Sequence, residues 1–184
     1  PKGNGKSEFI LGKTHTTEFA YLDPSPAKNP HNINYTPGGS SSGSAAAVAC
    51  GSIPLSIGTQ TMASVNRPAS YCGISAFKPS NGSINGFGVS PLAPSFDTVG
   101  FYGWSLSDAI YGYNSVLPKK LKSIDYIHNI DQFNIVLIED DLLDDMIPEM
   151  NGMIQLVLSQ MRNSGCCIKK SKAPFSMKKL GNIQ

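Results

Sequence analysis

Charge of either sign is scarce along the middle of this chain. Residues 29–66 contain no Asp, Glu, Lys or Arg, and from there to residue 107 only Arg67, Lys78 and Asp97 are charged. Charged side chains are almost never buried without partners, so a long segment without them is expected in a protein interior. A chain of 184 residues has difficulty enclosing so long a segment. We therefore expect this chain to be the central part of a larger protein.

The chain also lacks a strong net charge and a long apolar run. It carries 15 Lys and Arg against 13 Asp and Glu, which leaves a net charge of +2. This bias is too small to indicate binding to nucleic acid or to an anionic membrane surface. No apolar run is long enough to span a bilayer, and no signal peptide is recognised. We expect no nucleic acid and no membrane among the partners, whereas a homo-oligomer is compatible with the sequence.

Cysteines are few, and their spacing is not that of a metal site or a disulfide scaffold. None of the four, Cys50, Cys72, Cys166 and Cys167, belongs to a C-x-x-C pair. Because Cys50 and Cys72 have apolar neighbours in the sequence, we expect buried thiols in a reducing compartment, the cytoplasm. The three histidines are scattered singly along the chain. The sequence therefore predicts no metal site, and no cofactor is expected.

The apolar pattern alternates between short strands and longer helices. Strands are predicted at residues 9–11, 53–57, 74–79, 133–138 and 166–169. Helices are predicted at residues 42–50, 67–71, 107–116 and 149–162. Ser42 or Ser44 is expected to cap the first of these helices, and Ser107 the third. Strands alternating with helices indicate an α/β fold, with a mixed and largely parallel β-sheet core that is flanked by helices.

The stretch at residues 36–49 combines three glycines and four serines with a run of small helix-forming residues. A flexible linker is the simple alternative, but the segment that follows is apolar and well patterned. Glycine allows unusual backbone angles and close approach, and serine hydroxyls can cap a helix or react. We therefore expect a tight turn that places hydroxyl groups at the start of a buried helix.

Two short motifs in the chain have known chemical meanings. Residues 3–7 mimic the end of a phosphate-binding loop, but the glycine required five positions before Gly5 is not in the chain. Residues 39–43 match the G-x-S-x-G pattern, which makes Ser41 the nucleophile of an elbow-type serine hydrolase. Such an elbow needs a strand before it, and Pro37 is a poor end for a strand. The elbow-type hydrolase stays as an alternative.

Four ordered blocks carry a more specific pattern, at residues 38–49, 58–69, 71–79 and 88–100. They resemble the amidase signature family in composition and order. The second block, which reads GTQTMASVNRPA, is the segment where that family has its nucleophile. The resemblance covers nearly the whole chain and is strongest over residues 36–100.

The resemblance implies a partial amidase domain over residues 1–184, with the α/β fold of that family left incomplete. Residues 119–130, which are basic and polar, are then an exposed connection, and no second domain is expected. The implied activity is hydrolysis of the C–N bond of a small-molecule amide.

The resemblance also implies a Ser–cis-Ser–Lys triad. The nucleophile of the family maps onto Ser64, and the bridging serine, which follows a cis peptide bond, maps onto Ser40. A neutral lysine then takes the proton of Ser64 through the hydroxyl of Ser40. Ser41 supports this network as a neighbouring hydroxyl. The oxyanion hole is implied for the backbone N–H groups of Thr61, Met62, Ala63 and Ser64.

Two departures from the family pattern bear on this mechanism. Met62 and Ala63 stand where the family usually has two glycines, and a positive φ at Met62 would introduce strain. No residue before Pro37 offers the apolar strand context of the catalytic lysine, so we expect that lysine outside this chain and this chain alone to be inactive. A catalytically inactive homologue or an assembly subunit is therefore an alternative. An amidase subunit that transamidates charged tRNA is a less favoured one.

Arg67 is a lone charge three residues beyond Ser64. One hypothesis is that its guanidinium binds a carboxylate of the substrate in a bidentate contact. The other is structural, with Arg67 paired to Asp97 or bonded to backbone carbonyl groups. The sequence favours the structural alternative but leaves both open.

Overall fold

The structure is a computed structural model that describes residues 9–21, 23–117 and 133–181. The chain forms two compact units, Pro1–Ser123 and Ile124–Gln184. The predicted connection at residues 119–130 lies outside the described residues. That the chain belongs to a single domain stays a prediction.

The first unit contains a small sheet and three helices among its described residues. A short 3-10 turn at Glu18–Ala20 precedes them. The helices and strands are α1 (Ser42–Ala49), β1 (Leu55–Gln60), α2 (Asn66–Cys72), β2 (Ser75–Phe77), β3 (Thr98–Gly103) and α3 (Leu106–Val116). The three predicted helices of this unit and the strands predicted at residues 53–57 and 74–79 are therefore present, although β1 begins two residues later than expected and extends to Gln60.

Strand β3 lies between β1 and β2 and is antiparallel to both. Leu55 of β1 and Ser75 of β2 are both opposite Gly103 of β3. The helix α2 between β1 and β2 is typical of a parallel crossover, which is the reason for expecting a largely parallel sheet. Because β3 inserts between the two strands, every hydrogen-bonded pair in this sheet is antiparallel, which corrects that expectation for the first unit.

The core of the first unit is built from small and aromatic side chains. Ala45 and Val48 of α1 pack with Val65, Ala69 and Tyr102. A second cluster contains Phe101, Ala109 and Tyr113, and the rings of Phe101 and Tyr113 meet edge to face. The alanine run of α1 has high helix propensity, and its small side chains let the helix backbone lie close to its neighbours.

The start of α3 differs from the prediction in a way that its hydrogen bonds explain. Ser105, not Ser107, is the N-cap of this helix. The Ser105 hydroxyl accepts from the backbone N–H of Asp108, and the Asp108 carboxylate accepts from the backbone N–H of Ser105. This reciprocal capping box places the helix start earlier than expected. Ser41 likewise occupies the N-cap of α1, with no hydrogen bond from its side chain to the helix.

The second unit contains a two-stranded parallel sheet and two helices among its described residues. They are β4 (Asn134–Glu139), α4 (Pro148–Asn163), β5 (Cys167–Lys172) and α5 (Met177–Gly181), with a 3-10 turn at Leu143–Asp145. Pro148 at the first position of α4 lacks the N–H that a helix start leaves unpaired, and Gly165, at a φ of 91°, follows its end. The predicted strands and helix of this region are confirmed.

Two expectations about burial are wrong. Phe9 and Ile10 are each 88% exposed, and no strand forms at residues 9–11. Cys50 is also exposed, whereas Cys72 is buried, and burial raises the pKa of Cys72 to about 11. In both cases an apolar local sequence does not find a neighbouring surface to pack against. None of the described helices is long and apolar enough to cross a lipid bilayer.

Candidate functional site

Ser40 lies in a tightly hydrogen-bonded turn before α1. The peptide bond between Gly39 and Ser40 is cis, as the resemblance implies, and Ser40 is buried. The carbonyl oxygen of Ser40 accepts from the backbone N–H of Thr17 at 2.9 Å and of Ser42 at 2.8 Å. The hydroxyl of Thr16 donates to the same oxygen at 2.8 Å. The hydroxyl of Ser42 adds a longer bond of 3.3 Å, so four donors hold the backbone at Ser40.

Ser64 lies in the turn between β1 and α2, next to the turn of Ser40 in space. The carbonyl oxygen of Ser64 accepts from the backbone N–H of Ser41 at 3.3 Å and from the hydroxyl of Tyr102 at 3.2 Å. Burial raises the pKa of Tyr102 far above its usual range, which keeps the phenol neutral and able to donate. The structure thus brings together the two serine-bearing segments that are 24 residues apart in the sequence.

Gln60 supports the turn that carries Ser64, a role that was not predicted from the sequence. Its side-chain oxygen accepts from the backbone N–H of Val65 at 2.8 Å and of Asn66 at 2.9 Å. Gln60 is only 5% exposed, so these two bonds are shielded from water. Since the N–H groups at a helix start lack partners within the helix, Gln60 satisfies two of those at the start of α2. The signal in the sequence is a lone amide at the end of a strand that has no other amide and no charged side chain.

The turn itself leaves a row of backbone donors available. Within the described part of the chain, no hydrogen bond is made by the backbone N–H groups of Thr61, Met62, Ala63 and Ser64. The non-glycine residues with positive φ among those described are Phe19 and Ala20, so Met62 avoids the left-handed region. A side chain at this position is therefore accommodated without the strain considered above.

Asp97 connects this turn to the loop before β3. One carboxylate oxygen accepts from the hydroxyl of Thr61 at 2.5 Å. The other accepts from the backbone N–H groups of Leu92 and Ala93, each at 2.8 Å. Burial alone raises the pKa of Asp97, but these three donors outweigh it and lower the pKa below its ordinary value. Asp97 is therefore an ionised anchor for the turn.

The hydroxyl groups of Ser40 and Ser64 make no hydrogen bond to any other described residue. Thr17, which is 7% exposed and lies against Gly39, also has a buried hydroxyl without a partner in the described chain. Buried polar groups are normally paired, so the Thr17 hydroxyl keeps hydrogen-bonding capacity next to the Gly39–Ser40 segment.

Ser41 is placed differently from the other two serines. Its hydroxyl donates to the carbonyl of Thr59 at 3.2 Å and accepts from the N–H of Thr59 at 3.1 Å. Ser41 is 5% exposed, and the residues before it form no strand. Both the burial and the two bonds oppose the elbow alternative, in which Ser41 attacks a substrate. They agree with a supporting role.

Arg67 lies in the first turn of α2 and reaches back to the turn of Ser40. Its Nε and Nη2 atoms donate to the carbonyl oxygen of Gly39 at 2.9 Å and 2.7 Å. Asp97 accepts its hydrogen bonds from Thr61 and from backbone groups. Of the structural alternatives for Arg67, the structure therefore shows the contact to a backbone carbonyl.

The surroundings contain a cavity but no metal centre within the described chain. The cavity has a volume of about 230 Å³ and is lined by Thr59, Asp97, Val99 and part of the loop at residues 81–94. Neither Ser40 nor Ser64 lines it. No cluster of three His, Cys, Asp or Glu side chains suited to a metal ion occurs among the residues that the structure describes.

Comparisons with known proteins find similar proteins both by sequence and by fold. A family model described as Amidase matches residues 5–180. The A subunit of glutamyl-tRNA(Gln) amidotransferase from Francisella tularensis subsp. holarctica is 32% identical over 178 residues, which cover 91% of this chain and 36% of the relative. Its counterpart from Francisella philomiragia is 34% identical, with the same shares covered. The chain thus spans about a third of the length of these curated relatives.

Solved structures extend the similarity. The A subunit of glutamyl-tRNA(Gln) amidotransferase from Thermotoga maritima matches with a TM-score of 0.80 and 25% identity, covering 90% of this chain and 40% of that one. The native peptide amidase of Stenotrophomonas maltophilia matches with a TM-score of 0.73 and 27% identity, covering 88% and 38%. The predicted α/β fold class is confirmed by these similarities.

Proposed function

Because this chain belongs to the amidase family, we propose that it carries two members of a Ser–cis-Ser–Lys site that hydrolyses the C–N bond of a small-molecule amide. Ser64 is the nucleophile, Ser40 relays its proton, and a lysine outside this chain is the base. The observation that supports this best is the meeting of the two segments, where the N–H of Ser41 donates to the carbonyl of Ser64. Both serine hydroxyls there lack other partners in the described chain.

The first step of the proposed reaction is attack of the Ser64 oxygen on the amide carbonyl carbon. Its proton passes to the Ser40 hydroxyl, whose own proton passes to the neutral lysine. The lysine then returns a proton through Ser40 to the departing nitrogen when the C–N bond breaks. Water attacks the acyl ester by the same proton path, and the acid is released with Ser64 restored.

The proposed oxyanion hole is the turn from Thr61 to Ser64. Its backbone N–H groups make no hydrogen bond within the described chain, which leaves them available to an oxygen that becomes negative. Gln60 and Asp97 hold the two ends of this turn by their side-chain oxygens. A preorganised donor of this kind contributes on the order of 10²–10³ in rate.

The proposal is tested by replacing each serine in the full-length protein. Ser64→Ala is expected to abolish hydrolysis of simple primary amides, and Ser40→Ala to reduce kcat by about 10²–10⁴, as loss of a general acid–base group does. Ser70→Ala, at an exposed position of α2, is the matched control and should keep wild-type activity. Amide hydrolysis that persists in Ser64→Ala contradicts the nucleophile assignment. Loss of activity in Ser41→Ala with a fully active Ser64→Ala supports the elbow alternative instead.

A serine-directed fluorophosphonate probe separates the enzyme from an inactive homologue. Covalent labelling of Ser64 in the full-length protein, absent from Ser64→Ala, supports the enzyme. Intact Ser64 without labelling supports the inactive homologue or assembly subunit. The absence of a positive φ at Met62 favours the first outcome, since the turn keeps its backbone donors.

A role as part of an amidotransferase is the second candidate function. The observation that favours it is the 32–34% identity to the A subunit of glutamyl-tRNA(Gln) amidotransferase over 91% of the chain. This role predicts that the full-length protein acts with partner subunits on glutamyl-tRNA(Gln). Hydrolysis of small amides by the protein alone, unchanged by added glutamyl-tRNA(Gln), favours the amidase. The cytoplasm remains the predicted location for either role.

A further inference from the structure

We propose that Arg67 is a positioning residue, which holds the peptide bond before Ser40 against the helix that follows Ser64. The inference rests on the proposed function, since it assigns to Arg67 the alignment of the proton relay from Ser64 to Ser40. It differs from the expectation that Arg67 binds a carboxylate of the substrate.

The contact is made by two donors that converge on one acceptor. Two N–H groups of the planar guanidinium, at Nε and Nη2, converge on the single carbonyl oxygen of Gly39 at 2.9 Å and 2.7 Å. That carbonyl belongs to the peptide unit that ends at the nitrogen of Ser40. Because the guanidinium is rigid and charged, its paired donors restrain the position of this oxygen and, through it, of the peptide unit.

The two peptide units on either side of Ser40 are held from different parts of the chain. The unit after Ser40 is held through its carbonyl by Thr16, Thr17 and Ser42. The unit before it is held by Arg67, which lies in the first turn of α2. Ser64 is two residues before that helix, so Arg67 connects the backbone of the relay serine to the element that positions the nucleophile.

The same contact limits Arg67 as a substrate anchor. The Nε and Nη2 edge, which commonly binds a carboxylate through two parallel bonds, is already occupied by Gly39. A carboxylate bound there would have to displace this carbonyl and release the peptide unit before Ser40. Occupation of this edge in the protein itself therefore favours positioning over substrate binding.

The test compares two substrates in the full-length protein, a monoamide of a short dicarboxylic acid and the methyl ester of the same monoamide. Arg67→Met keeps the aliphatic stem without the donors, and Arg67→Lys keeps the charge without the planar fork. Both variants are expected to lower kcat by about 10- to 100-fold, as a small misplacement of a reacting group does. The fall should be equal for the two substrates, with KM changed less than about twofold, because uniform substrate binding is retained. A raised KM for the carboxylate substrate alone, with kcat unchanged, overturns the proposal.

A second measurement is independent of activity. Arg67→Met is expected to speed amide hydrogen exchange in residues 38–44, where Ser41 and Ser42 donate backbone hydrogen bonds. Arg162→Met, which removes the other arginine of the chain from an exposed site in α4, is the matched control and should leave this exchange unchanged. Unchanged exchange in Arg67→Met overturns the positioning role alone. Activity that persists in Ser64→Ala instead overturns the proposed function, and the relay alignment with it.

Discussion

Helix α1 of the first unit and helix α4 of the second unit are packed in opposite ways. In α1, five of eight residues are buried, and they are small: Ser42, Gly43, Ser44, Ala45 and Val48. In α4, Leu158 is the buried member of a 16-residue helix, while Met150, Met153 and Leu156 are about half exposed. The difference shows that small side chains allow close backbone contact, whereas large apolar ones pack only where a second surface meets them.

The polar interactions of the two units also differ in burial. The first unit buries the side chains of Ser44, Ser56 and Gln60 and pairs each of them with backbone groups. The second unit carries exposed ion pairs, Lys170 with Glu139 and Lys178 with Asp145, each at 2.7 Å. Buried hydrogen bonds are costly to break, whereas exposed ion pairs contribute little. Substitutions in the first unit should therefore have the larger effects.

The largest expected effect is that of adding one methyl group to a helix glycine. A Cβ atom at Gly43 would lie 2.7 Å from the backbone nitrogen and 2.8 Å from the carbonyl oxygen of His15. Because backbone atoms must shift to admit it, Gly43→Ala is expected to lower the free energy of unfolding by about 3 kcal/mol. Urea unfolding of the full-length protein, monitored by hydrogen exchange in residues 36–60, measures this loss of free energy.

The matched substitution in α4 should change the free energy of unfolding in the opposite direction. A Cβ atom at Gly152 would meet nothing within 4 Å, and alanine is the better helix former. Gly152→Ala is therefore expected to stabilise the second unit by about 0.5–1 kcal/mol. Equal effects of the two substitutions would show that close backbone contact does not distinguish the units.

The second-largest expected effect on stability comes from removing the buried side-chain amide of Gln60. Gln60→Leu leaves the N–H groups of Val65 and Asn66 without the oxygen that now accepts from both. Loss of a buried partner of this kind costs about 2 kcal/mol. Gln155→Leu, at an exposed site in α4 with a long 3.4 Å contact to Asn151, is the control and should change the stability by less than about 0.5 kcal/mol. Thermal unfolding of the full-length variants measures both effects. Similar shifts in Tm would contradict the contrast between the buried polar groups of the first unit and the exposed ones of the second.

The smallest effect is a pH dependence of stability at Asp97. Its pKa is lowered in the folded chain, so the ionised form stabilises the fold. This stabilisation is complete above the ordinary pKa of aspartate, about 4, and is lost as the pH falls through the lowered value. Asp97→Asn is expected to lower the free energy of unfolding by about 1 kcal/mol at pH 7, because the hydrogen bonds to a charged acceptor are lost. Below pH 4 the variant and the wild type should converge, and a constant difference between them in urea unfolding from pH 7 to pH 3 would exclude this explanation.

Local patterns predicted much of the fold because they depend on neighbours in the chain. The alanine run of α1 and the apolar face of α4 specify helices by propensity and period, and both were predicted. The insertion of β3 between β1 and β2 was not predicted, since residues 78–97 separate it from β2 and no local pattern selects its partners. Residues 9–11 show the converse, an apolar run that forms no strand.

The same distinction between local pattern and tertiary contact applies to the candidate site. Ser40, Ser41 and Ser64 were identified from ordered sequence blocks, and their roles stay predictions. Gln60 was missed because its importance depends on the turn folding back over its side chain, which brings two backbone N–H groups to one oxygen.

By itself, the sequence determined that this chain belongs to the amidase family and which segments form helices, because both are properties of residue order and local pattern. Tertiary structure alone decided that Ser41 bonds to Thr59, that Arg67 holds Gly39 and that the two serine segments meet. The physical reason is that hydrogen bonds between residues 18 to 28 positions apart form only after the sheet and helices have packed. Before that, loop-closure entropy opposes each of these contacts, and no single residue specifies its partner.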